Sequence, residues 1–171
     1  GLVRRLGRGH GASWARERAP LAEMPGAFNA RVVVESAAMD QRLAIFLHAG
    51  DYDRVHQGLA VAVSAAAAGR TVDVYLFWWA LDRLLRDALD EPDFGPGHEA
   101  LAEDFLERGF PSIRQLLEAA RESGRVRLYA CSGSLAILGK NPGDLEGKVD
   151  GLVGWAAILE RTAGVTDRFQ F

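Results

Sequence analysis

Three short apolar segments, each followed by a helical pattern, constrain the fold of this chain more than any other feature. They are residues 43–47, 71–77 and 126–130. A short apolar run without polar interruptions is typical of a strand that is buried on both faces of a sheet. Strands that alternate with helices pair in parallel through right-handed crossovers. The sequence therefore predicts an α/β fold in which a mostly parallel open sheet of about five strands is sandwiched between helices.

The segments between these strands carry apolar residues at spacings of three and four, which is typical of amphipathic helices. Gly69 and Gly124 are expected to end two of these helices, and Ser112 with Gln115 is typical of a capping box at the start of another. Asp51 or Asp53 is expected to cap the helix that follows the first strand. Further along the chain, the pattern predicts a short helix or lid at 98–107, a helix at about 152–162 and a last strand at 167–171.

Composition limits the classes of function. The chain has 171 residues, a net charge of −3 and an apolar fraction of 49%, which fits one globular domain with a buried core. It lacks the dense basic stripe of a nucleic-acid surface and any apolar stretch long enough to span a membrane. Because there is one cysteine, an intrachain disulfide is excluded, and a lone thiol fits a reducing compartment such as the cytoplasm.

The beginning of the chain differs from the rest. Residues 1–38 contain scattered arginines and glycines with little apolar periodicity, which predicts a basic N-terminal extension before an α/β domain at 39–171. A targeting peptide is the second interpretation, although Glu17 and Glu23 and the lack of an apolar core argue against it. Residues 31–35 are a candidate edge strand. Met39 precedes the first strand, and we hypothesise that the natural protein starts there.

Residues with useful chemistry follow all three predicted strands. In an open parallel sheet, ligands bind outside the carboxyl ends of the strands, so these residues are expected to lie at one edge. The candidate site residues are His48, Asp51, Tyr52 and His56 after the first strand, Trp78 and Trp79 after the second, and Cys131, Ser132 and Ser134 after the third.

Cys131 has two interpretations. A free cysteine is often a small buried hydrophobe. In the functional interpretation, the start of the next helix favours the thiolate, while Ser132 and Ser134 supply hydroxyl donors or cap the helix. With no second cysteine, the chemistry open to this thiol is a persulfide, a mixed disulfide or a sulfenic acid.

The histidines and tryptophans also have alternatives. His48 and His56 are either ordinary loop and helix residues or groups that act as a base or stabilise a persulfide. Together with the thiol they could in principle bind zinc, but no metal-binding spacing is present, so no metal is predicted. Trp78 and Trp79 are expected in the core or at subunit contacts. No dinucleotide fingerprint, P-loop, CxxC motif or nucleophile elbow occurs, and no cofactor is predicted.

Three segments in this order resemble the DsrE/DsrF/DsrH-like family. They are 48–56 with the alanine-rich helix up to residue 69, the aromatic segment 77–81, and the cysteine block 130–134 with the glycines that follow it. The resemblance covers roughly residues 39–171. Ala80 stands where the family usually has glycine, and Ile137 to Lys140 replace the paired basic residues and glycine of relay members. The chain is thus more similar to the peroxiredoxin-like branch.

The resemblance implies a Rossmann-like three-layer domain that assembles into homo-oligomers, often trimers or hexamers. It also implies that Cys131 accepts a persulfide sulfur from a donor protein and passes it to an acceptor. Two functions follow from these observations. The first is a thiol-based sulfur carrier with Cys131 as acceptor and His48 or His56 assisting. The alternative is a non-catalytic oligomeric module that binds a small ligand or a partner's segment, with Cys131 incidental.

Overall fold

The computed structural model describes residues 41–171. The predictions made for residues 1–38, including the candidate edge strand at 31–35 and the start at Met39, lie outside this range. The described part contains five strands separated by six α-helices, three of which lie between the second and the third strand. A 3₁₀ turn, Pro142–Leu145, follows the fifth helix.

The five strands form one parallel sheet in the order β4-β3-β2-β1-β5. This confirms the predicted fold class. The strands are β1 Arg42–Leu47, β2 Thr71–Leu76, β3 Val126–Cys131, β4 Gly151–Val153 and β5 Asp167–Gln170.

Six helices connect or follow these strands. Helix α4 starts with the predicted capping box, in which Ser112 accepts a hydrogen bond from the Gln115 amide while the Gln115 side chain accepts one from Ser112. Gly69 follows the end of α1 with a φ of 86°, a backbone conformation that glycine adopts without strain. The helices are α1 Tyr52–Ala67, α2 Trp78–Leu85, α3 Glu99–Glu107, α4 Ile113–Glu122, α5 Ser132–Ile137 and α6 Trp155–Arg161.

The direction of the connections decides which face of the sheet each helix covers. The chain passes from β1 to β4 in one direction along the sheet, and it returns from β4 to β5 in the other. Right-handed crossovers therefore place α6 on the face opposite to α1, α4 and α5. The larger core lies under α1, α2, α4 and α5, and a smaller, aromatic-rich core lies between the sheet and α6. We call the smaller core the α6-side layer; its buried members are Ala44, Phe46, Tyr75, Phe77, Tyr129, Cys131, Val153 and Ile158.

Three local expectations differ from the structure. Residues 152–162 do not form one helix, because Gly151–Val153 is strand β4 and Gly154 precedes α6. The short strand was hidden because Leu152 continues the apolar spacing of the helix although it lies in the sheet. The second strand ends at Leu76, one residue before the predicted end at 77, and Trp78 and Trp79 begin helix α2. Asp51 occupies the cap position of α1, but its side chain makes no capping hydrogen bond.

Candidate functional site

The carboxyl edge of the sheet carries a row of four residues on neighbouring strands. Cys131 on β3 pairs with Val153 on β4. On the other side, the β2–β3 register ends at Leu76 with Ala130, so the next residues, Phe77 and Cys131, are adjacent. The β1–β2 register likewise brings His48 beside Phe77. The row therefore runs Val153, Cys131, Phe77, His48 across the sheet.

Cys131 is the last residue of β3, which extends one residue beyond the predicted strand at 126–130, and it directly precedes α5. Side chains alternate along β3, so Leu128 and Ala130 enter the larger core while Tyr129 and Cys131 enter the α6-side layer. The thiol is 4% exposed and makes no capping hydrogen bond to α5. Cys131 thus has an apolar, largely aromatic environment at a strand end.

Two glycines lie close to the side chains of Cys131 and Ser132. A Cβ atom added at Gly133 would lie 3.8 Å from the Cys131 sulfur, and one added at Gly154 would lie 3.4 Å from the Ser132 hydroxyl oxygen. Ser132 is exposed, whereas Ser134, in the first turn of α5, is buried. The missing side chain at position 133 leaves space directly beside the thiol.

His48 belongs to the same layer but does not reach the thiol. Its ring stacks on Phe77, with ring centroids 4.5 Å apart, and Phe77 stacks in turn on Trp155 at 5.1 Å. Burial lowers the pKa of His48 below its ordinary value. His48 and Cys131 are two strand spacings apart, about 10 Å, and Phe77 lies between them. The structure therefore shows no direct contact through which His48 could transfer a proton to the thiol.

Tyr52 and His56 lie on the other side of the sheet. Tyr52 is fully buried in the larger core, and its hydroxyl accepts a hydrogen bond of 3.2 Å from the Ile113 amide. His56 Nε2 lies 3.0 Å from the Pro111 carbonyl oxygen, to which its N–H donates. Burial lowers the pKa of His56, and the hydrogen bond to Pro111 opposes this effect. Both residues therefore belong to a cluster separate from Cys131.

An aromatic cluster holds helix α3 against these two residues. Phe105 of α3 packs edge-on against Tyr52 and His56, with ring centroids at 5.9 and 5.2 Å. Phe94, in the loop before α3, contacts both Tyr52 and Phe105. Burial raises the pKa of the Tyr52 phenol above its ordinary value. These contacts suit a packed core better than a reactive site.

Trp78 and Trp79 occupy the edge between the first and third strand ends. Both are exposed, and their ring centroids are 6.4 Å apart. Trp78 has a φ of 40°, a left-handed conformation that is uncommon for a residue other than glycine. A Cβ atom at Gly50 would lie only 2.8 Å from the Trp79 Cβ atom and carbonyl oxygen, so glycine is needed there for the β1–α1 loop to approach α2. Asp51, the next residue, is exposed.

Sequence reasoning missed Arg83, which ties three segments near this edge together. Its side chain is 4% exposed and donates to the Gly50 carbonyl, to the Ala88 carbonyl at 2.8 Å and to both Asp93 carboxylate oxygens. Its guanidinium carbon also lies 5.6 Å from the centre of the Tyr52 ring. The sequence places Arg83 next to the apolar residues of α2, but the charged end of an arginine at such a position usually remains in water, so its burial was not predicted.

Residues 41–171 contain neither a ready metal site nor a membrane-spanning helix. No group of three or more histidine, cysteine, aspartate and glutamate side chains in this part of the chain is arranged to hold a metal ion. No helix in the same range is both long and apolar enough to cross a membrane.

Comparison with known proteins identifies the fold. No family model and no curated protein matches the chain. The crystal structure of the YchN protein from E. coli matches with a TM-score of 0.52 and 14% sequence identity, covering 77% of this chain and 99% of YchN. The protein of unknown function MTH1491 from Methanobacterium thermoautotrophicum matches with a TM-score of 0.48 and 16% identity, covering 77% of this chain and 100% of MTH1491. The likeness to YchN shows that the chain shares the DsrE-like three-layer α/β fold.

Proposed function

We propose that this chain is a member of the DsrE/DsrF/DsrH-like family, from its peroxiredoxin-like branch, and a thiol-based sulfur carrier in which Cys131 accepts and releases a sulfane sulfur. One observation carries the proposal: the only cysteine is the last residue of β3, at the edge where open parallel sheets bind their ligands. The DsrE-like fold and the cysteine block at 130–134 agree with this role.

The transfer needs one thiol and no external oxidant. The Cys131 thiol first loses its proton to solvent, and the thiolate then attacks the terminal sulfur of a donor persulfide. A new S–S bond forms at Cys131 while the S–S bond of the donor breaks, and the donor leaves as a thiolate. An acceptor thiolate then attacks the terminal sulfur on Cys131, which restores the Cys131 thiolate and leaves the persulfide on the acceptor.

The surroundings of Cys131 provide space and protection for a persulfide. The absent side chain at Gly133 leaves room beside the sulfur for a second sulfur atom at S–S bonding distance, about 2 Å. Phe77 and Tyr129, which are buried in the same layer as Cys131, provide apolar surroundings that shield that bond from stray thiols. Cys131 directly precedes α5, and the unpaired N–H groups at the start of a helix favour the persulfide anion.

The proposal assigns no proton transfer to the histidines. His56 packs with Tyr52 in the other layer, and Phe77 separates His48 from Cys131. Because a persulfide is more acidic than a thiol, its anion persists near neutral pH without a neighbouring base. The expected partners are a sulfur donor protein, an acceptor protein and further copies of this chain. We place the carrier in the cytoplasm, where a single unpaired thiol stays reduced.

The test is to detect the transferred sulfur directly. We expect the full chain to gain the mass of one sulfur atom after incubation with a cysteine desulfurase and cysteine. Dithiothreitol should remove this mass, and the Cys131→Ser variant should never acquire it. Replacing His48 with Ala should reduce transfer far less than losing the thiol, because His48 does not contact it.

One observation favours the alternative, a non-catalytic oligomeric binding module. Cys131 is 4% exposed and lies among apolar side chains, as a packing residue would. The carrier proposal fails if the chain gains no sulfur from any competent donor while Cys131→Ser stays folded and keeps its native behaviour in cells. In that outcome, the thiol is a core residue of a binding domain.

A further inference from the structure

A second candidate site lies on the α6 side of the sheet, on the same side as Cys131 but without Cys131 in its lining. It is an open cleft of about 610 Å³ between the carboxyl half of β1, strand β5 and helix α6. Phe46 and His48 contribute from β1 and the loop after it, Trp155 and Leu159 from α6, and Arg168 from β5. Its volume falls within the range of small-molecule sites, roughly 300–1,000 Å³.

Stacked rings lie along one side of this cleft. Trp155 and His48 both line it, and each of them stacks on Phe77, at interplanar angles of 26° and 12°. Among residues 41–171, the His48 ring forms no hydrogen bond, so its nitrogens are free to face a ligand. Burial lowers the pKa of His48, which favours the uncharged form of the ring.

The charge of the cleft comes from Arg168. Its guanidinium donates to the Thr162 carbonyl oxygen at 2.7 Å, and no carboxylate among residues 41–171 pairs with it. None of the residues that line the cleft is acidic. Gln170, also in the lining, is exposed and supplies an amide donor and acceptor. The cleft therefore combines flat aromatic surface with one uncompensated positive charge, which complements a flat anion.

We propose that this cleft binds a small aromatic carboxylate, with the ring against Trp155 and His48 and the carboxylate paired with Arg168. The site is independent of sulfur transfer, because Phe77 lies between the cleft residue His48 and the Cys131 strand. Arginine recognises a carboxylate through two parallel hydrogen bonds, and an aromatic ring gains additional energy by stacking on another ring.

The experiment uses three probes that differ in one property each. Benzoate has a flat ring and a charge, benzamide keeps the shape without the charge, and cyclohexanecarboxylate keeps the charge without the flat ring. In NMR titrations of the full chain, we expect benzoate to shift the Trp155 indole N–H and the Gln170 side-chain amide saturably. Benzamide should bind about tenfold more weakly because it loses the charge-assisted pair, and cyclohexanecarboxylate should be weaker by several-fold.

Variants separate the cleft from a general effect of charge. Arg168→Gln should weaken benzoate binding about tenfold, whereas Arg86→Gln, on the exposed side of α2, should leave it unchanged. Cys131→Ser should bind benzoate as tightly as the original chain does. A negative result in the benzoate titration is therefore distinct from a negative result in the sulfur-transfer test. The proposal is overturned if benzoate and benzamide bind equally or no shift saturates. It is also overturned if the chemical shift of the Trp155 indole N–H changes with protein concentration but not with benzoate concentration, since a second copy of the chain then fills the cleft.

Discussion

The guanidinium of Arg83 binds both carboxylate oxygens of Asp93, at 2.5 and 2.6 Å, although the two residues differ sharply in burial. The Arg83 side chain is 4% exposed and that of Asp93 is 64% exposed. Arg83 also satisfies the carbonyls of Gly50 and Ala88. It therefore fastens the loop after β1, the end of α2 and the loop that leads to α3 to one another.

Replacing Arg83 should destabilise the fold more than replacing its partner. Arg83→Met leaves two carbonyls without a donor, so we expect the free energy of unfolding to fall by about 3 kcal/mol. Asp93→Asn keeps an acceptor at a position exposed to water, so the free energy of unfolding should fall by only about 1 kcal/mol. Urea denaturation measures both, with Arg86→Met as the control for an exposed ion pair. Equal stabilities of the Arg83 and Arg86 variants would contradict this role for Arg83.

Gly133→Ala should slow the chemistry of Cys131 without weakening the fold. The new methyl group would lie 3.8 Å from the sulfur, an ordinary contact, and alanine is favoured over glycine within a helix by about 1 kcal/mol. The space beside the thiol would nevertheless be lost. We expect alkylation by iodoacetamide and sulfur transfer to slow about tenfold, an added barrier of about 1.4 kcal/mol.

The matched control for this variant is Gly143→Ala, because an added Cβ atom there meets nothing within 4 Å. Its reaction rates should equal those of the original chain. If Gly133→Ala also reacts at the original rate, then attack on Cys131 does not pass through the space beside Gly133.

Stability should fall as the pH drops below neutrality. Burial lowers the pKa of both His48 and His56 in the folded chain. Below about pH 6.5, the ordinary histidine value, the unfolded chain therefore binds more protons than the folded chain. The stabilisation is complete above about pH 7.5 and is progressively lost as the pH falls towards the lowered pKa values, with a slope of up to about 1.4 kcal/mol per pH unit for each histidine.

Urea denaturation between pH 8 and pH 5 measures this slope. His56→Gln should reduce it while retaining a donor for the Pro111 carbonyl. An identical slope in His56→Gln would show that His56 does not contribute to it.

The sequence predicts the sheet well because its central strands are buried on both faces. Val72, Val74 and Leu128 need no polar partner for their side chains, so their runs stand out from the helical patterns. Strand β4 has three residues, and Leu152 in it is 39% exposed, so it carries neither the length nor the burial that marks a strand. Its existence depends on pairing with β3, which is a tertiary contact.

The sequence predicts which edge of the sheet carries the candidate site residues, but it does not predict which face of the sheet each side chain enters. Parallel strands fix the end of the sheet at which His48, Tyr52 and Cys131 lie. Which layer each side chain enters depends on the register and on where the helix after the strand begins. Tyr52 starts α1 and turns into the larger core, whereas Cys131 is still in β3 and points to the other layer. Sequence spacing alone does not contain this distinction.

The chain should form a homo-oligomer, with three or six copies suggested by the family resemblance. Trp79 of α2 and Ile137 of α5 are 60% and 64% exposed, and large apolar side chains of this kind are typical of subunit contacts. Light scattering should give a mass that is a multiple of 18.6 kDa. Changing Trp79 and Ile137 together to Ser should reduce that mass towards the monomer. A monomer of the original chain at micromolar concentration would contradict the prediction.

Trp78 is held in a backbone conformation that costs energy, and a pair of substitutions can measure it. Its φ of 40° brings the Cβ atom of any side chain close to the neighbouring carbonyl, a strain of about 1–2 kcal/mol that glycine avoids. Trp78→Gly should therefore be more stable than Trp78→Ala, by about 1 kcal/mol. At Trp79, in the same helix and without a positive φ, the order should reverse because alanine is the better helix former.

Thermal unfolding of the four variants gives the two differences. If alanine is preferred at both positions, Trp78 carries no strain. If the order reverses as expected, a large exposed aromatic side chain stands where glycine would be more stable. Strain of this kind persists where the surrounding structure enforces it, and it is concentrated at functional sites. The same substitutions should then be compared in the sulfur-transfer assay, where Trp78→Gly is expected to lose activity despite its higher stability, because the indole lies at the carboxyl edge that carries Cys131.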